Sequence, residues 1–155
     1  MLVIGSDHGG FLLKQEIKKH LEEKGVDFVD VGCYDENSGD YPDVAKAAWD
    51  KITSGECDIG ILICGTGIGI SMAANKVKGI RAACCSDCFS AKYTRLHNNA
   101  NVLCFGGRVV GAGGRVIAPE TACELADIFL FTPFEGGRHQ RRVDKILALE
   151  ENFGK

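Results

Sequence analysis

The sequence predicts a single domain of the α/β class, with a parallel sheet covered by helices on both faces. Strand-like and helix-like segments alternate along the whole chain, an order typical of parallel sheets. One strand-like segment, residues 59–64, is an almost unbroken apolar run, as expected when both faces of a strand are covered. The length of 155 residues suits one domain, residues 1–155, with one sizeable core.

The first half of the chain predicts three strands separated by two helices. The first helix has apolar residues at helical spacing and is followed by Gly25, a residue that commonly ends helices. The second helix opens with Asp40-Tyr41-Pro42, and proline suits the first turn of a helix. In chain order the predicted segments are the strand 2–6, the helix 11–24, the strand 26–31, the helix beginning at Tyr41 and the strand 59–64.

The second half predicts two further strands. The segments are a helix at about 68–76, the strand 80–85, a helix over 89–98, the strand 102–105, a helix at about 111–131 that Pro119 interrupts, and a final amphipathic helix over 143–153. Five strands in this arrangement predict a doubly wound, flavodoxin-like sheet with the strand order 2-1-3-4-5. Ligands of such sheets bind at the carboxyl ends of the strands, where the strand order reverses between strands one and three.

Two glycine-rich loops follow those two strands. Residues 60–71 read GILICGTGIGIS, which places Cys64 at the end of a strand, directly before alternating glycines and the start of a helix. Backbone amides in such a loop stabilise negative charge, so they suit a thiolate base and an anionic intermediate. Asp7 and His8 follow the first strand, before Gly9 and Gly10. The sequence therefore predicts an active site in the crevice where the two loops meet.

Each of these residues also has a purely structural interpretation. Buried cysteine is common in parallel strands, Asp7 and Thr66 are typical helix caps, and a single glycine-rich loop is weak evidence for a phosphate site. His97, at the end of a predicted helix, would complement the helix dipole. The arginines that follow paired glycines, Arg108, Arg138 and Arg142, suit phosphate, although a solvated basic face is the default interpretation of such a run.

Composition narrows the class of protein further. A net charge of −3 and the lack of a long basic run argue against a nucleic-acid partner. No apolar stretch reaches the ~20 residues that span a bilayer, and strand-like sequence from residue 2 leaves no room for a signal peptide. Most of the eight cysteines lie in apolar segments, which favours free thiols and a cytoplasmic location. Cys85 and Cys88 form a C-x-x-C pair without the second ligand pair of a zinc site.

Several stretches together resemble the type B ribose-5-phosphate isomerases, a family that also holds the galactose-6-phosphate isomerase subunits. The resemblance runs from Gly5 to Val143, nearly the whole chain, and its motifs occur in order. They are GSDHGG, DYPD, GILICGTGIGISMAANK, GIRA, RLHNNANVLCFGGRVVG and EGGRHQRRV.

The resemblance implies an aldose–ketose isomerase that interconverts ribose 5-phosphate and ribulose 5-phosphate through an enediolate. Cys64 matches the base that moves a proton between two sugar carbons, and His97 matches the residue that helps to open the sugar ring. Some relatives use a glutamate six positions after the cysteine, where this chain has Ile70. The remaining matches are Asp7 and Thr66 in catalysis, His8, Tyr41, Gly65, Gly67, Ile68, Gly69 and Asn98 in substrate binding, and Arg108, Arg138 and Arg142 as phosphate ligands.

Such an isomerisation needs no redox cofactor, and no metal cluster is visible in the sequence. The resemblance also implies a homodimer or a dimer of dimers with active sites across the interface. Six-carbon substrates, allose 6-phosphate or galactose 6-phosphate, remain an alternative, as does a non-catalytic subunit or a flavodoxin-like binding module. A cysteine phosphatase is excluded because Ile70 stands where its phosphate-binding arginine would be.

Overall fold

The computed structural model describes residues 1–37, 39–110 and 114–152. Five strands form one sheet in which every neighbouring pair is parallel. This arrangement confirms the predicted fold class, a doubly wound five-stranded α/β domain. The strands are β1 (Leu2–Ser6), β2 (Phe28–Asp30), β3 (Ile59–Cys64), β4 (Ala82–Cys84) and β5 (Val102–Gly106).

Six α-helices accompany the sheet, namely α1 (Phe11–Glu23), α2 (Tyr41–Thr53), α3 (Ile68–Ala74), α4 (Cys88–Asn98), α5 (Pro119–Phe131) and α6 (Arg138–Glu150). Successive residues of a strand point to opposite faces, so β3 sends Ile61 and Ile63 into a core with α1, α4 and α5. Leu62 and Cys64 enter a second core with α2 and α3. The alternation therefore places the Cys64 side chain on the face that α3 covers.

The expected strand order is wrong at one edge. The observed order is β2-β1-β3-β5-β4, so β5 lies beside β3 and β4 forms the edge. A central strand must be apolar on both faces, and Val102, Leu103, Cys104 and Phe105 of β5 are all at most 1% exposed. The shorter β4 has only small side chains that stay partly accessible. The strand order still reverses between β1 and β3, as predicted. The predicted crevice at the carboxyl ends of these two strands is therefore unaffected by the exchange of β4 and β5.

The region after β5 also departs from expectation. The helix expected from residue 111 begins at Pro119, and it is preceded by an antiparallel ribbon of β6 (Val109–Val110) and β7 (Gly114–Arg115). The expected start at residues 111–113 lies outside the described residues. The last helix begins at Arg138 rather than at Val143, and Phe153, its expected end, also lies outside the described part.

Among the described residues, we find no helix with the length and apolar character needed to span a bilayer.

Candidate active site

The thiol of Cys64 accepts a hydrogen bond from the loop that follows it. The Gly67 amide donates to Cys64 Sγ at 3.1 Å, and the thiol is buried. Gly67 has a φ of +80°, and a Cβ there would lie 2.5 Å from the Cα of Phe105. Both the backbone conformation and the close approach therefore require glycine. Because α3 has only seven residues, the loop amides rather than a long helix dipole supply positive potential at the sulfur.

Asp7 lies beside this loop, at the end of β1. Its amide donates to the Ile63 carbonyl at 3.1 Å, and its Oδ1 accepts from the Gly10 amide at 3.2 Å. The carboxylate therefore caps a short 3-10 turn, as the structural interpretation expected. Burial raises the pKa of Asp7, although His8, two loop amides and Arg108 oppose the shift.

Arg108 joins the end of β5 to the Cys64 loop. Its amide donates to the Gly65 carbonyl at 3.2 Å, and its side chain lies over Gly65, where a Cβ would be 3.1 Å from Nε. Next to it is a cavity of about 260 Å³, lined by His8, Gly9, Leu12, Glu36, Gly107 and Arg108. An arginine and a histidine at such a cavity can hold an anion.

Two more of the predicted site residues, Tyr41 and His8, lie near the loop that follows Cys64. The Tyr41 ring packs on Gly69, where a Cβ would lie 2.8 Å from the ring. His8 Nδ1 lies 3.3 Å from the Gly39 amide. The ε-amine of the fully buried Lys14 donates to Asp30 Oδ1 and to the carbonyls of Gly32 and Cys33, which holds the base of the loop that carries Gly39. We call Asp7, His8, Tyr41, residues 64–69 and Arg108 the Cys64 group.

The other predicted residues form a second group around the end of α4. The rings of His97 and His139 are stacked, with centroids 3.9 Å apart and an interplanar angle of 10°. Arg138 Nε lies 3.3 Å from His139 Nε2, and Arg142 Nη1 lies 3.4 Å from His139 Nδ1. The Glu135 carboxylate lies 3.6 Å from His97 Nε2 and 3.8 Å from His139 Nε2. We call these residues, with Asn98, the His97 group.

The two groups lie at opposite ends of the strands, the Cys64 group at the carboxyl ends and the His97 group at the amino ends. The helix α4 returns the chain from the carboxyl end of β4 to the amino end of β5, and His97 and Asn98 are its last two residues. The Gly60 amide donates to the Asn101 carbonyl at 2.8 Å, which fixes the start of β5 beside the start of β3. From Gly60 to Cys64 the strand spans about 13 Å. Within the described ranges, no hydrogen bond or ion pair joins the two groups.

Sequence reasoning missed Glu135 and His139. Both lie inside the EGGRHQRRV stretch, and a helix starting at Arg138 brings His139 next to both arginines. His97, Glu135 and His139 are also residue types that hold transition metals, and their ligand atoms lie within 4.8 Å of one another. The two guanidinium groups at His139 oppose a further cation there, so we assign no metal to the group.

Comparisons with known proteins agree with this architecture. The family model for ribose/galactose isomerases matches residues 2–146. A ribose-5-phosphate isomerase B of Escherichia coli is 49% identical over 150 residues, covering 97% of this chain and 96% of that protein.

Solved structures agree as well. The ribose-5-phosphate isomerase B of Clostridium thermocellum superposes with a TM-score of 0.92 at 45% identity, covering 99% of both chains. The Mycoplasma genitalium enzyme with bound ribulose-5-phosphate has a TM-score of 0.86 at 44% identity, covering 97% of this chain and 95% of that one. The chain therefore belongs to the ribose/galactose isomerase family.

Proposed function

We propose that this protein interconverts ribose 5-phosphate and ribulose 5-phosphate, with Cys64 as the base. The observation that carries the proposal is the Cys64 thiol at a strand end, held by the Gly67 amide at 3.1 Å beside Asp7 and Arg108. The Escherichia coli relative has this activity by name, and the Mycoplasma genitalium relative binds the product ribulose-5-phosphate.

The reaction needs a base and a preorganised site for negative charge. The Cys64 thiolate takes the proton from C2 of the open-chain aldose, the electron pair forms the C1–C2 double bond, and the carbonyl oxygen becomes an enediolate oxygen. The hydroxyl proton on C2 passes to the oxygen on C1, the resulting thiol returns its proton to C1, and the carbonyl forms at C2. The Gly67 amide donates to the Cys64 sulfur and the Ile68 amide to Thr66 Oγ1, so the amides of Gly65, Thr66 and Gly69 and the Thr66 hydroxyl are the donors for the enediolate.

The arginines of both groups suit the phosphate of the substrate. Among the described residues, Arg108, Arg138 and Arg142 form no ion pair with a carboxylate. Enclosure and the nearby His97, Arg138 and Arg142 side chains lower the pKa of His139, although Glu135 opposes the shift, and the lowered pKa favours its neutral form. A neutral imidazole has one nitrogen lone pair to offer, so it satisfies only one of the two guanidinium groups that face it. A phosphate would accept the remaining N–H groups.

One chain cannot present both groups to one substrate, so we propose that the active site forms between two copies. The Cys64 group of one copy would face the His97 group of its partner, in a homodimer or a dimer of dimers. The apolar residues Ile68 and Met72, which flank the Cys64 loop on α3, are 51% and 63% exposed. A second copy would cover them. The eight cysteines, all free thiols, support a reducing, cytoplasmic location.

The direct test is turnover of ribose 5-phosphate, allose 6-phosphate and galactose 6-phosphate by the purified protein. We expect ribose 5-phosphate to have the highest kcat/KM. Preference for a six-carbon sugar would retain the isomerase and correct the substrate. No turnover of any of the three by a correctly assembled oligomer would contradict the proposal and favour a non-catalytic binding module.

A further inference from the structure

We infer that Glu135 is a positioning residue that orients His97 and selects its tautomer for ring opening. The inference rests on the proposed function, because ring opening is a step of that reaction. It concerns a contact that the proposed chemistry has not used: the Glu135 carboxylate at 3.6 Å from His97 Nε2.

The backbone holds Glu135 at this place. Its amide donates to the Leu96 carbonyl at 3.0 Å, which ties the segment between α5 and α6 to the last turn of α4. Leu96 directly precedes His97, so the carboxylate and the imidazole are fixed by neighbouring backbone. The distance to Nε2 is longer than a hydrogen bond, and such contacts often tighten only when substrate binds.

Two ring contacts restrict how His97 can turn. His139 is stacked on one face, and Tyr93 makes an edge contact with ring centroids 4.9 Å apart. His139 is 4% exposed, so it is a fixed surface for the imidazole. With the ring held between these neighbours, the carboxylate decides which nitrogen carries the proton.

The assignment of the proton follows from the charges. A carboxylate accepts hydrogen bonds and cannot donate them, so it favours the tautomer with the proton on Nε2. Nδ1 then keeps its lone pair, and no described residue donates to it. In this tautomer Nδ1 takes the proton of the anomeric hydroxyl while the C1–O4 bond breaks, and the imidazolium so formed gives that proton to the ring oxygen O4. Those events give the open-chain aldehyde that Cys64 acts on.

A role in stabilising the fold does not explain why the Glu135 carboxylate lies beside His97. The Glu135 side chain is 52% exposed, so truncating it leaves no buried cavity. It also lies outside the core clusters of the sheet. Substitution of Glu135 should therefore change the chemistry of His97 while leaving the fold intact.

Two reactions distinguish a role of Glu135 in ring opening from a general loss of enzyme activity. Ribose 5-phosphate is mostly a ring and must open, whereas ribulose 5-phosphate cannot close a five-membered ring because its C5 oxygen carries the phosphate. Exchange of the C1 protons of ribulose 5-phosphate with D2O therefore requires Cys64 but no ring opening. For Glu135→Ala we expect ring-form turnover to fall about tenfold or more, with near wild-type exchange. Glu135→Gln, which keeps an acceptor, should retain part of the activity.

Controls make the result specific. Glu56→Gln is a matched variant, because Glu56 is also a half-exposed glutamate whose carboxylate contacts one basic side chain, here Lys51, and it should leave both rates unchanged. In a His97→Asn background, Glu135→Ala should have no additional effect, since a positioning residue acts only through its partner. Equal losses of turnover and exchange, or an additive loss in the double variant, would overturn the inference.

A spectroscopic measurement tests the contact without activity. The chain has four histidines, so the ring ¹⁵N signals of His97 can be assigned by comparison with His97→Asn. We expect the proton on Nε2 in the wild-type protein and a mixture of tautomers in Glu135→Ala. If the protein turned over no sugar phosphate, the proposed function would fail while this spectrum still tested the pairing. An unchanged tautomer in the variant would refute the role of Glu135 alone.

Discussion

Cys64 is distinguished from the other thiols by the backbone around it. Its sulfur is buried and accepts a hydrogen bond from the Gly67 amide of the loop that follows the strand. Burial raises the pKa of Cys85 to about 11 and raises that of the enclosed Cys104 well above the ordinary range. Those thiols behave as small apolar core residues. The proposal that Cys64 is the base therefore depends on its position at the end of β3. The sequence predicted that position correctly.

Replacing Cys64 by alanine should abolish proton transfer with the fold retained. Loss of a catalytic base should lower turnover by about a hundredfold or more, and C1 exchange in ribulose 5-phosphate should fall with it. Cys104→Ala, which removes a thiol from the same face of the sheet, is the matched control and should keep the exchange rate. Near wild-type exchange in Cys64→Ala would assign the base to another residue.

Asp7 should lower the stability of the protein at neutral pH. Because burial raises its pKa in the folded state, the folded protein binds more protons than the unfolded chain above the ordinary aspartate range. The free energy of unfolding therefore falls as the pH rises through the shifted titration of Asp7.

Asp7→Asn keeps the acceptor for the Gly10 amide and removes the titration, so it should be more stable than the wild type at neutral pH and less active. Urea denaturation at several pH values, at one protein concentration, measures the effect. If the free energies of unfolding of the two proteins differed by the same amount at every pH, the predicted effect of the Asp7 titration would be contradicted.

At the scale of elements, the sequence predicted segments with clear apolar periodicity and missed those without it. The first five residues of α6, Arg138 to Arg142, contain no apolar side chain, so the pattern placed the start of the helix at Val143. Gly136 and Gly137, with φ values of +69° and +53°, turn the chain into the true start. The order of β4 and β5 was missed because the alternation of elements does not decide which strand lies at the edge.

The early start of α6 allows a sharp test of the phosphate site. Arg138→Ala should weaken the binding of ribose 5-phosphate by about 1.5–3 kcal/mol per lost charged hydrogen bond. It should hardly change the binding of unphosphorylated ribose. Arg141 lies on the same helix and, among the hydrogen bonds of the described residues, has none to His139, so Arg141→Ala provides the control. Titration of each variant with both sugars is the measurement. An equal loss for ribose and ribose 5-phosphate would show that Arg138 supports structure instead of holding phosphate.

For the whole molecule, the division of the site into two groups is the central feature. The sequence motifs identified members of both groups, but spacing along a chain does not show that α4 carries His97 to the amino ends of the strands, whereas Cys64 lies at their carboxyl ends. That separation follows only from the topology. It also leads to the proposal that each active site takes Cys64 from one copy and His97 from its partner.

Complementation between two impaired variants tests this account most directly. As homo-oligomers, Cys64→Ala should be inactive on ribose 5-phosphate and His97→Asn should keep only a small residual turnover. After co-refolding in equal amounts, each mixed dimer contains one site with both residues intact. Half of the randomly formed dimers are mixed, so we predict recovery of about a quarter of wild-type activity. Failure to recover activity, with mixed dimers shown by mass spectrometry, would contradict the shared site and place both residues in one chain's active site.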